Sequence, residues 1–174
     1  MFLTGDAGTG KTFVAKAIFH ALARFYNSQI ASDPIKEKGI ILAYTGKAAY
    51  NIGGLTADSV LHLPLKASYI SPLSANTLDM LSKRYGQLRL VLFDETYLIG
   101  SRMLYNMDKR LREILHVATK PFGNVDVIFC GDFFQAEPIR DSWIFEPPRL
   151  HGQQLPYGFW TENVKCFQLN IVMR

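Results

Sequence analysis

Cysteine is scarce in this chain. Its 174 residues hold two, Cys130 and Cys166, together with four histidines that stand apart from one another. A structural zinc site wants about four closely spaced ligands of these types, so none is expected. Both thiols lie in apolar stretches and are expected as reduced core residues of an intracellular protein. Long apolar runs are missing too. None approaches the roughly 18 residues that cross a bilayer, and Met1-Phe2-Leu3-Thr4 is too short and too poor in basic residues for a signal peptide. No membrane role is expected. Nor is there an acidic excess: 19 Lys and Arg against 15 Asp and Glu give a net charge of +4, which permits a nucleic-acid partner without demanding one. The chain lacks internal repeats, low-complexity tracts, the Asn-Lys-x-Asp quartet that reads guanine, and any sign of a kinase lid or acceptor site. What remains is 48% apolar and 20% charged, enough for one domain with a substantial core.

Apolar runs and helical patterns alternate along the chain. Phe2-Leu3-Thr4 ends at a glycine-rich loop. Thr12 to Tyr26 has no Gly or Pro and reads as a mostly buried helix. Gly39 to Tyr44 reads as a buried strand, and Gly46 to Asn51 as a short helix stopped by Gly53-Gly54. Leu63 to Asn76, with Pro64, Pro72 and several serines, reads as loop. Leu88 to Phe93 is the next strand. Ser101 to Val117 fits an amphipathic helix with Leu104, Met107, Leu111, Ile114 and Leu115 on one stripe, and Lys109, Arg110, Arg112 and Glu113 largely off it. Val125 to Cys130 is another strand, Pro138 to Pro156 reads as irregular, and Cys166 to Val172 as a last strand. Strands alternating with helices imply a parallel sheet covered on both faces. Ligands of such sheets bind at the carboxyl ends of the strands, where the polar motifs after Thr4, Phe93 and Cys130 would gather.

The first motif is Gly5-Asp6-Ala7-Gly8-Thr9-Gly10-Lys11-Thr12, which satisfies G-x-x-x-x-G-K-[ST]. Glycine tolerates the backbone angles that turn successive N–H groups inward on a phosphate. The following helix sets its positive end at the same place. Lys11 is expected at the β- and γ-phosphates and the Thr12 hydroxyl on Mg²⁺. Asp94-Glu95 follows a strand: Asp94 is placed to hold the metal and Glu95 to polarise the attacking water. In Gly131-Asp132-Phe133-Phe134-Gln135, the Gln135 amide is a candidate sensor of the γ-phosphate, and at least one of the two rings is expected to pack in the core. His62 reads as a surface or loop histidine. Trp143 and Trp160 read as packing beneath a loop rather than stacking on bases.

These blocks, with Thr45-Gly46-Lys47-Ala48-Ala49-Tyr50-Asn51-Ile52-Gly53-Gly54 between them and in this order, resemble the petite-integration-frequency (PIF) group of DNA helicases. These are RecD-like superfamily-one motors that move 5′ to 3′ on single-stranded DNA. The resemblance runs from Gly5 to Arg174. It implies a RecA-like P-loop NTPase domain of the α/β class spanning 1–174, a mostly parallel sheet with helices on both faces, and the cofactors ATP and Mg²⁺. The implied partners are single-stranded DNA and duplex junctions, and the implied work is unwinding during DNA repair, recombination and telomere maintenance, in the nucleus or the mitochondrion, by a monomer. By matched position it implies that Gly5 to Thr12 hold the nucleotide and Thr12 and Asp94 the metal. Lys11, Glu95, Gln135 and Arg174 then carry catalysis, Arg174 as the arginine of the next motif approaching the γ-phosphate. Thr45, Gly46, Lys47 and Asn51 contact DNA, mainly its backbone, with Lys47 and the amides at that helix start as donors.

Three positions depart from the family pattern. Asp58-Ser59 stands where the family has His-Ser, Tyr97 where it favours a small serine, and Ala136-Glu137-Pro138 where it reads Leu-Pro-Pro. Two of the departures add carboxylates near the implied DNA track. The adenine-reading segment and the second motor domain of the family are expected to be absent, as in a fragment or truncated gene product. Such a piece would bind ATP weakly, hydrolyse it very slowly and fail to unwind DNA. The competing expectation is a nucleotide-binding remnant of a mobile-element helicase with no motor function.

Overall fold

A computed structural model of the chain describes residues 1–29, 33, 35–64, 70–138, 140–146 and 154–173. Among the described residues, six strands form one sheet in the order β3-β2-β4-β5-β1-β6. They are β1 (Phe2–Gly5), β2 (Gly39–Ala43), β3 (Leu55–Thr56), β4 (Leu90–Asp94), β5 (Asp126–Cys130) and β6 (Cys166–Leu169). Every paired neighbour is parallel. Register sets Ala43 beside Asp94 and Leu3 beside Cys130. The residues that follow β2, β4, β5 and β1 therefore emerge along one edge, as the alternating sequence predicts.

The helices are α1 (Lys11–Asn27), α2 (Gly46–Ile52), α3 (Ala57–Leu61), α4 (Ala75–Tyr85), α5 (Ser101–Leu115) and α6 (Gln154–Asn163). Alternation within β4 explains how the sheet is covered on both sides. Leu90 and Leu92 join Ala15 and Phe19 of α1 in one cluster. Val91 and Phe93 join Leu104, Met107, Leu111 and Ile114 of α5 in the other. All four of these β4 side chains are fully buried, each contributing about 1.5–3 kcal/mol of transfer free energy. No described helix is long and apolar enough to cross a membrane.

Several expectations need correction. The expected loop Leu63 to Asn76 gives way at Ala75 to α4, which runs on to Tyr85 where no element was expected. Its start is capped by the Ser74 hydroxyl, which accepts from Thr77 N, and Leu81 and Tyr85, four apart, are its buried residues. The expected irregular stretch to Pro156 overlaps α6, which begins at Gln154. Proline is tolerated in a first helical turn, where the missing N–H has no intrahelical acceptor. From α6, Trp160 sets its ring 5.2 Å from both Phe2 and Phe129, and Trp143 meets Phe133 edge-on at 5.7 Å, so both indoles pack. Cys130 is buried but Cys166 is exposed. The latter lies on β6, the edge strand, whose first three residues face solvent.

Arg110, expected off the apolar stripe of α5, is buried at 3% exposure. Its guanidinium donates to Leu61 O (2.9 Å), Ser71 O (3.2 Å) and His62 O (3.4 Å), and to Glu113 Oε2 at 2.5 Å. It thereby closes the end of α3, where His62 turns left-handed at φ 48°, and fixes α3 on α5. Asp108, also buried, accepts from Phe122 N (2.6 Å) and Arg112 Nε (2.9 Å). Asp141, from a distant loop, caps α5 by accepting from Arg102 N and Met103 N. A distant side chain thus supplies the cap that the local sequence of α5 does not.

Candidate nucleotide-binding site

The phosphate loop leaves β1 at Gly5, φ 147°, and enters α1 at Gly10, φ 81°. A side chain at Gly5 would run into the Leu169 carbonyl of β6. The N-cap of α1 is Gly10, which has no side chain to cap it, so its first-turn N–H groups are available to an anionic ligand. Thr9 closes the loop with Oγ1 donating to Asp6 O at 2.9 Å. Lys11 Nζ folds back onto the loop, donating to Gly5 O (2.5 Å) and Asp6 O (2.8 Å). An anion at the loop would compete with those two carbonyls for the ammonium. The loop borders an open hollow of about 340 Å³ lined by Gly8, Gly10, Lys11, Thr12, Phe13 and Met173. Phe13 and Met173 are largely exposed, and Met173 N donates to Gly8 O at 3.0 Å. Sequence reading gave Phe13 and Met173 no role, because neither belongs to a polar motif. A second hollow of about 320 Å³ lies at the opposite ends of the strands, lined among others by Met1, Leu22, Val125, Asp126 and Phe159.

Thr12 faces Asp94 across the site, Oγ1 to Oδ2 at 3.5 Å. Burial pushes the Asp94 carboxyl above its usual range. The Glu95 N–H, the Cys130 thiol, the Thr12 hydroxyl and the Lys11 charge pull the other way. Burial, and next the Asp94 charge, hold the Cys130 thiol protonated, so it serves as a donor. Thr12, exposed, and Asp94, partly buried, offer the hard oxygens that Mg²⁺ prefers, from two directions. Among the described residues no group of three or more His, Cys, Asp or Glu side chains gathers. A magnesium ion would therefore take its remaining ligands from phosphate and water, its usual habit. The residues fit the ion.

Glu95 follows in a left-handed conformation, φ 54°, which costs a residue with a Cβ about 1 kcal/mol or more. Its carboxylate accepts from Thr45 Oγ1 at 3.2 Å. Thr45 in turn caps α2, accepting from Ala48 N at 3.1 Å. Gly46, Lys47 and Asn51 are exposed, and Lys47 and Asn51, four apart, share one side of α2. Gln135 Nε2 donates to Asp132 Oδ2 at 3.2 Å, while Phe134 N donates to Asp132 Oδ1 at 3.1 Å. Phe133 packs on Phe2 at 4.8 Å, and Phe134 is fully exposed. Thr96, which sequence reading passed over, is buried between β4 and β5. Its hydroxyl accepts from Cys130 N (3.1 Å) and faces the carbonyls of Cys130 (3.1 Å) and Phe93 (3.3 Å), holding the two carboxyl ends together. Arg174 lies outside the described residues.

Of the departures, Asp58 occupies the first turn of α3, where a negative charge is favourable. Tyr97 sits beside Glu95. Burial first, then the Glu95 charge and a hydrogen bond to it, raise the Tyr97 hydroxyl's pKa. Glu137 is exposed.

The family model of PIF1-like helicases matches residues 1–174. The chain belongs to the PIF1-like helicase family. It is 26% identical to the ATP-dependent DNA helicase PIF1 of Candida albicans, over 95% of this chain and 18% of that protein. It is 32% identical to that of Danio rerio, over 80% of this chain and 20% of that protein. Unliganded Pif1 from Bacteroides sp. superposes with a TM-score of 0.69 at 26% identity, covering 99% of this chain and 38% of that one. The Bacteroides Pif1 complex with ADP-AlF3 and single-stranded DNA gives 0.65 at 25% identity, again 99% and 38%. The chain thus spans about a fifth of these curated PIF1 relatives. Its parallel sheet is the RecA-like fold found in those Pif1 structures.

Proposed function

We propose that this chain is the ATP-binding and ATP-hydrolysing motor domain of a 5′-to-3′ DNA helicase. The observation that carries the reading is the convergence of Lys11, Thr12, Asp94 and Glu95 at one sheet edge, with Glu95 bonded to the strand-end residue that starts α2. In this reading the loop amides and Lys11 hold the triphosphate, and Thr12 and Asp94 hold Mg²⁺, which offsets phosphate charge when bound. Glu95 takes a proton from water as the water oxygen bonds to the γ-phosphorus. The bond from that phosphorus to the β–γ bridging oxygen breaks, and ADP and phosphate leave. Gln135, oriented by Asp132, senses the γ-phosphate, and Arg174 approaches it. Thr45, Gly46, Lys47 and Asn51 meet the sugar-phosphate backbone of single-stranded DNA. That the relatives are named ATP-dependent DNA helicases, and that Pif1 has been captured with ADP-AlF3 and single-stranded DNA, supports both partners. Cellular work in DNA repair, recombination and telomere maintenance, in the nucleus first and the mitochondrion second, accompanies the proposal, as does action as a monomer.

Unwinding assays on 5′-tailed and 3′-tailed duplexes test it on the protein as its gene encodes it. ATP-dependent unwinding of the 5′-tailed substrate, with DNA affinity falling steeply with salt, is expected. The departures Asp58, Tyr97 and Glu137 favour a second reading, a nucleotide-binding remnant without motor function. Nucleotide binding with no DNA affinity at any salt would establish that one instead.

A further inference from the structure

Consecutive residues at the end of β4 reach in different directions. Asp94 meets Thr12 of the phosphate-binding helix, whereas Glu95 is tied to Thr45 on the α2 side and also accepts from the neighbouring Tyr97 hydroxyl. The sheet order runs β2-β4-β5-β1, so Thr45, after β2, lies on one side of β4, and the phosphate loop, after β1, lies two strands away on the other. The bond to Thr45 therefore draws the Glu95 carboxylate away from the phosphates. It also occupies a lone pair that a general base would offer to water.

The same hydroxyl borders the exposed face of α2. Thr45 is partly buried between Glu95 and a surface carrying Gly46, Lys47 and Asn51. It has one hydrogen to give, now given to Glu95, while it accepts from Ala48 N. A phosphate oxygen arriving beside Lys47 competes with Glu95 for that hydrogen. Both acceptors are anionic, so the exchange replaces one charge-assisted bond with another.

We propose that Thr45 is a positioning residue that parks Glu95 away from the attacking water until single-stranded DNA takes over its hydroxyl, so that DNA engagement releases the general base. This deepens the motor reading and rests on it. It assigns to one side chain the link between the DNA surface and hydrolysis.

The test compares wild type, Thr45→Gly and Thr45→Ser in the protein as its gene encodes it. ATPase is measured without DNA and at saturating oligothymidylate, alongside melting temperature and DNA affinity. Glycine is an acceptable helix N-cap, costing only a few tenths of a kcal/mol, so α2 is kept while the hydroxyl is lost. For Thr45→Gly the expected result is a DNA-free kcat raised about tenfold, about 1.4 kcal/mol, with the KM for ATP unchanged. Its rate at saturating DNA should be near wild type, so the stimulation ratio shrinks. Thr45→Ser should match wild type. A simple capping role predicts lower stability with no gain in DNA-free rate. A DNA-free rate unchanged or lowered in Thr45→Gly, beside a DNA-stimulated wild type, overturns the parking of Glu95 and leaves the motor reading standing. So does Thr45→Ser behaving like Thr45→Gly. Wild type without DNA-stimulated hydrolysis overturns both.

Discussion

Thr12 Oγ1 and Asp94 Oδ2 stand 3.5 Å apart although 82 positions separate them. One belongs to the first turn of α1 and the other to the last residue of β4. The parallel sheet makes the encounter. It also leaves Asp94 as a partly buried carboxyl whose raised pKa reports desolvation that its neighbours offset only in part. Asp94→Asn keeps the shape and removes the charge. Because the buried anion disfavours the ligand-free fold, the variant is expected to melt at a higher temperature than wild type without nucleotide. The enhancement of ATP affinity by Mg²⁺ should fall at least about tenfold, or about 1.4 kcal/mol. Thermal melts with and without MgATP check both, and a lower melting temperature in the ligand-free variant would count against the electrostatic account.

Glu95→Gln should separate binding from chemistry. The amide still accepts from Thr45 but cannot take a proton from water. Affinity for MgATP is expected within about threefold of wild type, while kcat drops by about 10²–10⁴-fold. Equilibrium binding and single-turnover hydrolysis measure the two. Equal losses in both would mean that Glu95 holds the loop together rather than acting on water.

How much of this was legible in the sequence depends on how local the cause is. The phosphate loop is written in eight adjacent residues, so Gly5 to Thr12 could be read directly, as could the strand ending at Asp94. The two-sided cover of β4 could be read from its continuous apolar run. Arg110 could not. Its helical position says solvent, and only the carbonyls of Leu61, His62 and Ser71, brought in by the fold, make burial tolerable. The Asp141 cap on α5 and the Thr45–Glu95 bond are likewise products of tertiary placement. So is the exposure of Cys166, because nothing in Cys166 to Leu169 says that its strand lies at the sheet edge.

Arg110→Ala is expected to be strongly disruptive in α5. It removes the ion pair with Glu113 and leaves three carbonyls without their donor. The loss should be about 3–5 kcal/mol, typical of breaking a buried charged network. Arg110→Lys should recover little of it, since an ammonium cannot span the same fork of acceptors. Urea denaturation at neutral pH measures both, and a loss below about 1 kcal/mol for alanine would show that water satisfies the carbonyls instead.

At the opposite end of the sheet, the Tyr26 hydroxyl donates to the Asp126 carboxylate. That bond first, then burial, pushes the Tyr26 pKa up to about 12. The unfolded value is about 10. A folded pKa above the unfolded one means the pair's contribution is fully present below about pH 10 and is lost as pH rises through the folded value. Phenolate absorbance, taken as the difference between wild type and Tyr26→Phe, should show a late-titrating tyrosine. In Asp126→Asn its midpoint should move back toward the ordinary range. An ordinary midpoint in wild type would remove the bond from the account.

Calorimetric titration of MgATP into wild type and Lys11→Ala tests the central claim most directly, that the Gly5–Thr12 loop grips a triphosphate. The account predicts saturable one-to-one binding to wild type and at least about a hundredfold weaker binding to a folded Lys11→Ala, about 2.7 kcal/mol. Equal affinity in the two proteins, or no magnesium-nucleotide affinity in well-folded wild type, would contradict it.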